Sequence, residues 1–490
     1  MRGDSRALRE RMVAIDWWPW AILLLAAFLR IFLLGIKPPH FDEGINGWFV
    51  DQMTKTGFYK YDPTNYHGPL HFYILFVSQT LFGRGVWALR MPVVLGSIAS
   101  VWLTFKFTPF VGRTAAMIAA LAMAVSPAFV FYGRYSIHEV WLLLFSMMFI
   151  LGLLGLWRTG RPGYLWCAIM GTCGMILTKE TYIIHVGCAA VALLVAWVTQ
   201  KIRRTDDAER TPQLWNAGQL MAAVALGLGL IIFFYSGNLM NWGGLRGLYE
   251  TFGAWFKTGS QGNGHEKAWW YWLMLIGRYE PAVGLGLLAC LGCLWFQRMS
   301  VRYLAIYGVG TLMAYSIVAY KTPWCIISIV WPMLFILGAA IELFPTKLRR
   351  LALAIAGLAI AASLVLSIRL NYFRCTTDTE PYVYVQTYND IYKLTKPLLE
   401  LARRDPRNYQ LVGHMVRPSA YPLPWILGDF TRVGYYEKDN LPSPIDAAFL
   451  VVQEEKIPLV ESKLHNAYYT MQFTIRPYQD TSKLYLDAKV

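Results

Sequence analysis

Leu70–Phe82 reads LHFYILFVSQTLF, and whether this stretch crosses a membrane sets the topology of the whole chain. It is apolar, but it is short against the roughly 20 residues that a spanning helix needs. It also carries His71 and Gln79. Length and polarity together make it interfacial. The surrounding charges give an independent test. Arg2, Arg6, Arg9 and Arg11 precede the first long apolar run, Trp17–Leu34. Later short loops carry Lys106 with Arg113, Arg158 with Arg161, Lys201 with Arg203 and Arg204, Arg298 with Arg302, and Lys347 with Arg349 and Arg350. Basic residues gather in short cytoplasmic loops, so an even number of spans must separate neighbouring loops of this set. Counting Leu70–Phe82 as a span puts Lys106 and Arg113 outside and inverts every later loop. Leaving it out puts all of them inside.

The fold expected is therefore a polytopic α-helical membrane protein of about eleven transmembrane helices. They fall near 17–35, 91–108, 114–132, 138–157, 164–178, 181–199, 216–235, 271–297, 302–320, 324–344 and 350–368. Outside lie 36–90, 133–137, the turn Thr178–Glu180, 236–270, the turn Tyr320–Pro323 and the tail from Arg369. No small-residue cleavage site follows the first run, which reads as a retained anchor. Two domains are expected. Residues 1–368 form the transmembrane module, with the first outside loop (36–90) as its chemical part. Residues 369–490 form a small soluble extracytoplasmic α/β domain, with strand-like runs at Tyr409–Val412, Ala448–Val452 and Met471–Ile475 after a helical pattern from Tyr388 to Ala402. The expected location is the plasma (inner) membrane, with the N-terminus cytoplasmic.

Composition agrees. Apolar residues make up 56% of the chain and mean hydropathy is +0.37, both high for a soluble globular protein. A net charge of +15 would suggest nucleic acid in a soluble protein. Here the basic residues sit in short loops, so no nucleic-acid partner is expected. Of the seven cysteines, six lie in or beside apolar spans and only Cys375 falls in the tail. Cys290 and Cys293 form a CxxC with no second pair and no nearby histidines, which argues against a metal site there.

The first outside loop holds the densest polar chemistry, Pro38-Pro39-His40-Phe41-Asp42-Glu43-Gly44 and Tyr66-His67-Gly68-Pro69-Leu70-His71. Gly47–Lys55 reads as an amphipathic helix lying on the membrane surface. A carboxylate beside a span is costly to desolvate unless it is paired or used. Asp42 is either a general base that takes a proton from an attacking hydroxyl or the cap of the following helix. His40 and Asp42 are also candidate ligands for a divalent cation. The same face receives Arg134, His138, Glu139, Lys179, Glu180, Arg246, His265, Arg278, Glu280 and Lys321. Charges of both signs there suit an anionic lipid head group and a proton-transfer carboxylate. Lipid-borne phosphate is the natural activated donor outside the cytoplasm, where lysines or arginines would neutralise it as the sugar–oxygen bond breaks.

On these residues the chain resembles the GT-C glycosyltransferases, polytopic enzymes that use polyprenyl- or dolichyl-phosphate sugars. It looks most like their protein-mannosyltransferase and aminoarabinose-transferase branch, and more narrowly like the set labelled flippase-activity-associated proteins of glycan assembly. The likeness covers roughly the first 345 residues, with the tail matched only to the narrow set. It rests on Asp42-Glu43, the His-Gly-Pro-Leu of 67–70, Arg90-Met91-Pro92, Ser126-Pro127 through Arg134 and Glu139, and Lys321-Thr322-Pro323 through Pro332. Gly68 departs from the family's Pro-Pro-Leu, and Glu139 stands where many members have Asp.

The resemblance implies transfer of a sugar, with inversion, from a polyprenyl-phosphate donor to an extracytoplasmic lipid, glycan or protein acceptor of the cell envelope. It implies Asp42 as catalytic base, beside Glu43. It implies Arg90, Arg134, Lys179 and Lys321 for the lipid phosphate, and His40, His67, His71, His138, Glu139 and Glu180 for the acceptor or a metal. Members differ in metal dependence, which leaves a divalent ion on His40, Asp42 and Glu139 open as a cofactor. A lipid-linked glycan transporter would place its charges at mid-membrane. A non-catalytic assembly partner would tolerate loss of Asp42. A reporter fused after Val490 is expected to behave as extracytoplasmic, and a cytoplasmic signal would overturn the parity argument.

Overall fold

The computed structural model describes residues 16–65, 67–203, 213–260, 264–292, 296, 298–438 and 440–489. The arginines at positions 2, 6, 9, 11 and 204, together with Tyr66 and Cys293, lie outside them. The helices run in order: α1 Trp17–Ile31, α2 Phe41–Thr56, α3 Leu70–Phe82, α4 Val86–Thr104, α5 Arg113–Val125, α6 Pro127–Tyr132, α7 Glu139–Thr159, α8 Pro162–Ile176, α9 Tyr182–Arg203, α10 Ala217–Tyr235, α11 Gly243–Ser260, α12 Tyr271–Tyr279, α13 Pro281–Cys290, α14 Met299–Ile317, α15 Ile326–Ile341 and α16 Thr346–Ile368.

Among the described residues, six stretches are long and apolar enough to cross a membrane: Val86–Val111, Glu139–Thr159, Tyr182–Ile202, Ala217–Tyr235, Pro323–Ile341 and Thr346–Phe373. The chain is a multi-pass membrane protein. Pro323–Ile341 is 83% buried and forms the centre of the bundle, whereas Ala217–Tyr235 is 11% buried and turns its apolar side chains outward. That outward face is what lipid tails solvate without cost.

Two of the expected spans are broken. The run at 114–132 splits into α5 and α6 at Ser126, because Pro127 has no N–H to continue the ladder. The run at 271–297 splits into α12 and α13 at Glu280, again before a proline. Helix ends inside a bundle leave unpaired carbonyls and N–H groups that must find other partners. Arg30 meets this need for α5, donating from Nη1 to Ala124 O (3.0 Å) and from Nη2 to Met123 O (3.1 Å). Glu280 meets it for α6, accepting from Ser126 Oγ (2.6 Å) and Ala128 N (2.8 Å). Leu70–Phe82 is a 13-residue apolar helix, shorter than these six stretches, as are α1 and α5.

α2 is longer than the expected Gly47–Lys55. His40 and Glu43 close a capping box at its start, and Gly57 ends it in the left-handed conformation at φ 83°. Nor does α2 lie free on a surface. Met53 packs with Phe72 of α3, and Val50 packs with Leu75, Leu89 and Trp425.

After α16 a strap, 374–388, leads into α17 (Tyr392–Arg404), α18 (Leu423–Ile426) and one five-stranded sheet. The strands are β1 Gly413–Val416, β2 Val433–Tyr435, β3 Phe449–Gln453, β4 Tyr468–Phe473 and β5 Ser482–Asp487, in the order β2-β1-β3-β5-β4. β1 pairs parallel with β2 and β3, while β5 pairs antiparallel with β3 and β4. The expected strand at 409–412 is instead a 3-10 turn followed by the approach to β1, because Asp405 caps that turn at Arg407 N. Met471–Ile475 stops at Phe473, where β4 ends.

This C-terminal unit seats directly on α2. A Cβ at Gly44 would lie 2.5 Å from Pro422, and one at Gly47 would lie 2.5 Å from the Trp425 ring. Arg84 clamps the contact, bonding Asp51 (2.9 Å), Asp429 (3.3 Å) and the Trp425 carbonyl. Gly47→Val is expected to cost about 1–3 kcal/mol by overpacking and to open the segment around Trp425 to protease. Cleavage kinetics of the intact protein in detergent would check this, with Trp425→Ala as the cavity-forming comparison.

Candidate functional site

Asp42 owes its place to its neighbour. Glu43 is fully buried and accepts four hydrogen bonds: from Arg90 Nε (2.8 Å), Arg90 Nη2 (2.7 Å), His40 N (2.9 Å) and Ser136 N (2.9 Å). Burial alone would raise its pKa, but the Arg90 guanidinium outweighs that and holds it down at about 2. Arg90 has no exposed surface either. Its remaining N–H groups go to the carbonyls of Leu34 (2.7 Å), Lys37 (3.2 Å) and Pro38 (3.2 Å). The pair staples the first loop to α4. The capping role considered for Asp42 thus falls to Glu43 and His40. Asp42 is left with a side chain 33% exposed.

Asp42 faces a cavity of about 930 Å3, lined among others by His67, His138, Glu139, His265, Lys267 and Arg476. The Tyr135 hydroxyl lies 3.3 Å from Asp42 Oδ2 and also reaches His40 Nδ1, so the two acceptors share its one proton. His40 Nε2 donates to the Tyr384 carbonyl (2.8 Å), so Nδ1 carries the lone pair that receives Asp42 N–H (3.0 Å). Burial holds His40 below its ordinary pKa despite the attraction of Asp42, which keeps it neutral.

Glu139 lines the same cavity and is ion-paired with Lys179. His67 Nδ1 contacts Glu180 Oε2 at 3.1 Å, and the backbone of 67–70 pairs with the turn at 177–180 through Gly68 N to Thr178 O (3.1 Å) and Leu70 N to Leu177 O (3.0 Å). That pairing accounts for Gly68, since a Cβ there would lie 2.3 Å from the Leu177 carbonyl. His71 is buried behind the wall, its Nδ1 taken by Trp141 Nε1–H (3.0 Å). Burial pushes its pKa down to about 3. The His138 ring lies between those of His67 and His71, tilted against both, with centroids 4.6 and 4.3 Å away.

Several expected phosphate ligands lie elsewhere. Arg90 is spent on Glu43 and loop carbonyls. Arg134 caps the end of α1, donating to the carbonyls of Leu29 (3.0 Å), Arg30 (3.2 Å), Phe32 (2.6 Å) and Leu33 (2.8 Å). Lys321 is buried, and its Nζ donates to the carbonyls of Lys267 (3.1 Å) and Val318. Arg246 pairs with Glu250 on α11, and Arg278 with Glu380 of the strap. Two cations unmarked in the sequence face the cavity instead. Lys267 follows the loop that carries His265, and Arg476 projects from the loop between β4 and β5. Their only advance signal is position: Lys267 lies two residues before a Trp pair, and Arg476 sits in a Pro-containing turn between two strands.

A divalent ion does not fit the residues present. Both His40 nitrogens are engaged, and Glu139 is committed to Lys179. Among the described residues, no three His, Cys, Asp or Glu side chains are arranged to hold a metal.

The fold is that of the GT-C glycosyltransferases. The chain superposes on ArnT from Cupriavidus metallidurans bound to undecaprenyl phosphate with a TM-score of 0.63 and 14% identity, covering 97% of this chain and 99% of that one. The oligosaccharyltransferase of Archaeoglobus fulgidus, in complex with zinc and sulfate, gives a TM-score of 0.51 and 11% identity, over 96% of this chain and 73% of that one. In sequence, residues 66–232 match the family described as dolichyl-phosphate-mannose-protein mannosyltransferase. "Putative mannosyltransferase YkcB" of Bacillus subtilis (strain 168) is 25% identical over 224 residues, 43% of this chain. The match spans 30% of that relative's length.

Glu43→Gln is expected to destabilise the protein by about 3–5 kcal/mol, since it leaves Arg90 buried without its counter-charge. The linkage has the sign of a depressed carboxylate. The stability that Glu43 contributes is present above its ordinary pKa near 4.5 and is lost as pH falls toward about 2. Thermal unfolding in detergent at pH 7 and pH 4 checks both, because the gap between wild type and variant should narrow at the lower pH.

Proposed function

We propose that this protein transfers a sugar from a polyprenyl-phosphate carrier to an extracytoplasmic acceptor, with inversion and with Asp42 as general base. The observation that carries the reading is the position of Asp42. It is a partly exposed carboxylate on the cavity wall, fixed by a rigid helix start and touched by one hydroxyl. Glu139, by contrast, is neutralised by Lys179. The mannosyltransferase profile and the fold shared with an undecaprenyl-phosphate-bound transferase support the same class.

In this reading the acceptor hydroxyl sits against Asp42, which takes its proton as the oxygen attacks the anomeric carbon. The new carbon–oxygen bond forms on the face opposite the breaking bond to the carrier phosphate. Lys267, near the exposed Trp269 and Trp270, stabilises the departing phosphate charge. The aromatic pair marks a membrane interface, where a carrier head group would lie. Lys179 pairs with Glu139, and neutral His40 holds the Asp42 backbone. No metal enters the step. The cavity and the C-terminal unit lie outside the cytoplasm, with the N-terminus inside.

Mass spectrometry of envelope glycans and polyprenyl-linked sugars provides the test, in a host that lacks the gene and is complemented with wild type or Asp42→Asn at equal abundance. Wild type should restore a missing sugar. Asp42→Asn should lower transfer by about 10²–10⁴ and let the lipid-linked sugar accumulate. Full restoration by Asp42→Asn would remove Asp42 as base.

A further inference from the structure

The C-terminal unit does more than cover the membrane module: it builds part of the cavity that Asp42 faces. The strap brings Asp378 and Tyr384, and the loop after β4 brings Arg476 and Tyr478. A second cavity of about 420 Å3 is lined wholly by residues of the strap and of that loop. It shares Asp378, Thr379 and the stretch 476–479 with the first. A groove therefore runs from the C-terminal unit into the Asp42 cavity, and Arg476 stands where the two meet.

The surroundings of Arg476 are those of a charge left for a ligand. Its guanidinium lies over the Phe41 ring at 3.6 Å, one residue before Asp42, and Nη2 donates to Ser419 Oγ at 3.1 Å. No carboxylate lies within 4 Å of it among the described residues, although every other arginine assigned above to this face is committed to a carboxylate or to backbone carbonyls. Its pKa is lowered by burial to about 10, with Asp42 attracting it, so it stays charged at neutral pH. Tyr478 beside it is 87% exposed and offers a flat aromatic face. Asp378, its Oδ2 holding the Tyr388 hydroxyl at 2.9 Å, keeps a second oxygen that can accept from a hydroxyl. A forked cation, an aromatic plate and a hydroxyl acceptor in one groove match an acidic carbohydrate. The carrier phosphate is better served by Lys267, because Arg476 sits on the soluble side of the cavity.

We propose that the groove between the strap and the β4–β5 loop binds the acceptor, that this acceptor is a carbohydrate bearing a carboxylate or a phosphate ester, and that Arg476 recognises the anion. This rests on the transferase reading above and names its acceptor class. It also assigns the C-terminal unit a substrate-binding role.

The test uses the full chain in nanodiscs and saturation-transfer-difference NMR, with glucuronate, glucose 6-phosphate and uncharged methyl glucoside as observed probes and inorganic phosphate titrated in as a competitor of glucose 6-phosphate. At least one acidic sugar should bind at least tenfold more tightly than methyl glucoside and inorganic phosphate, and the pair tells carboxylate from phosphate ester. Arg476→Ala and Arg476→Gln should each lose that preference tenfold or more, while Arg476→Lys retains part of it. Binding of undecaprenyl phosphate should not change in these variants. Three results would overturn the proposal: no preference for acidic sugars in wild type, inorganic phosphate binding as tightly as glucose 6-phosphate, or equal loss of undecaprenyl phosphate in Arg476→Gln. The glycan assay with Asp42→Asn reports on the transferase reading by itself, so the two can fail separately. Matching thermal unfolding of Arg476→Gln and wild type shows that a lost preference is not lost folding.

Discussion

The buried pair of Glu43 and Arg90 is the contact on which the site depends. Two charges taken out of water cost several kcal/mol each, and they return that cost only when geometry and hydrogen bonding are complete. Here they are complete. Glu43 collects four N–H groups, and Arg90 uses all five of its own on Glu43 and three loop carbonyls. One carboxylate thereby fixes the start of α2, the path of the 34–38 loop and the segment at Ser136. Asp42, one residue away, inherits a defined position with only the Tyr135 hydroxyl, among the described residues, hydrogen-bonded to its carboxylate. The adjacent acids of Asp42-Glu43 divide the labour: one holds the frame and the other stays available.

The same economy recurs wherever a helix stops inside the bundle. Arg30, Arg134 and Glu280 each satisfy backbone groups at a helix end or break. In a low-dielectric interior an unpaired carbonyl costs as much as a lost hydrogen bond, and water is not at hand to replace it. Arginine suits the task because its donors form a rigid fork and its charge is hard to remove. A bundle whose helices break near one face must therefore carry cations near that face for structural reasons alone. Basic residues that cluster there can be caps as well as ligands, and only the partners of each tell them apart.

That mixture explains what the sequence could and could not disclose. The helical class and the prominence of Asp42 follow from run length and a local polar cluster, both of them short-range signals. The roles of Arg90 and Arg134 do not, because a cap and a phosphate ligand look the same until the carbonyls around them are located. The breaks at Ser126 and Glu280 were signalled by Pro127 and Pro281, but long apolar runs on both sides masked them. Lys267 and Arg476 were invisible for a further reason. Arg476 lies more than 400 positions from Asp42 along the chain, and no periodicity in a small mixed sheet predicts which loop will face a distant helix. The reason for Gly68 emerged in the same way, since the Leu177 carbonyl that forbids a side chain belongs to another turn.

The glycines of α2 show how two such distant parts are kept in register. Gly44 and Gly47 lie on the face that receives Pro422 and Trp425, and the missing side chains let the C-terminal unit approach almost to backbone contact. Gly44 is two residues from Asp42, so the surface that seats the soluble unit and the surface that presents the carboxylate belong to the same turns of one helix. The strap adds a second anchor, with Gln386 donating to Pro38 O at 3.1 Å and Tyr384 receiving His40 Nε2–H. Both anchors converge on residues 38–47. A shift of the C-terminal unit large enough to move Arg476 would thus have to disturb the helix start that carries Asp42. Groove and carboxylate are thus tied to the same short segment, so the C-terminal unit and Asp42 share their anchors.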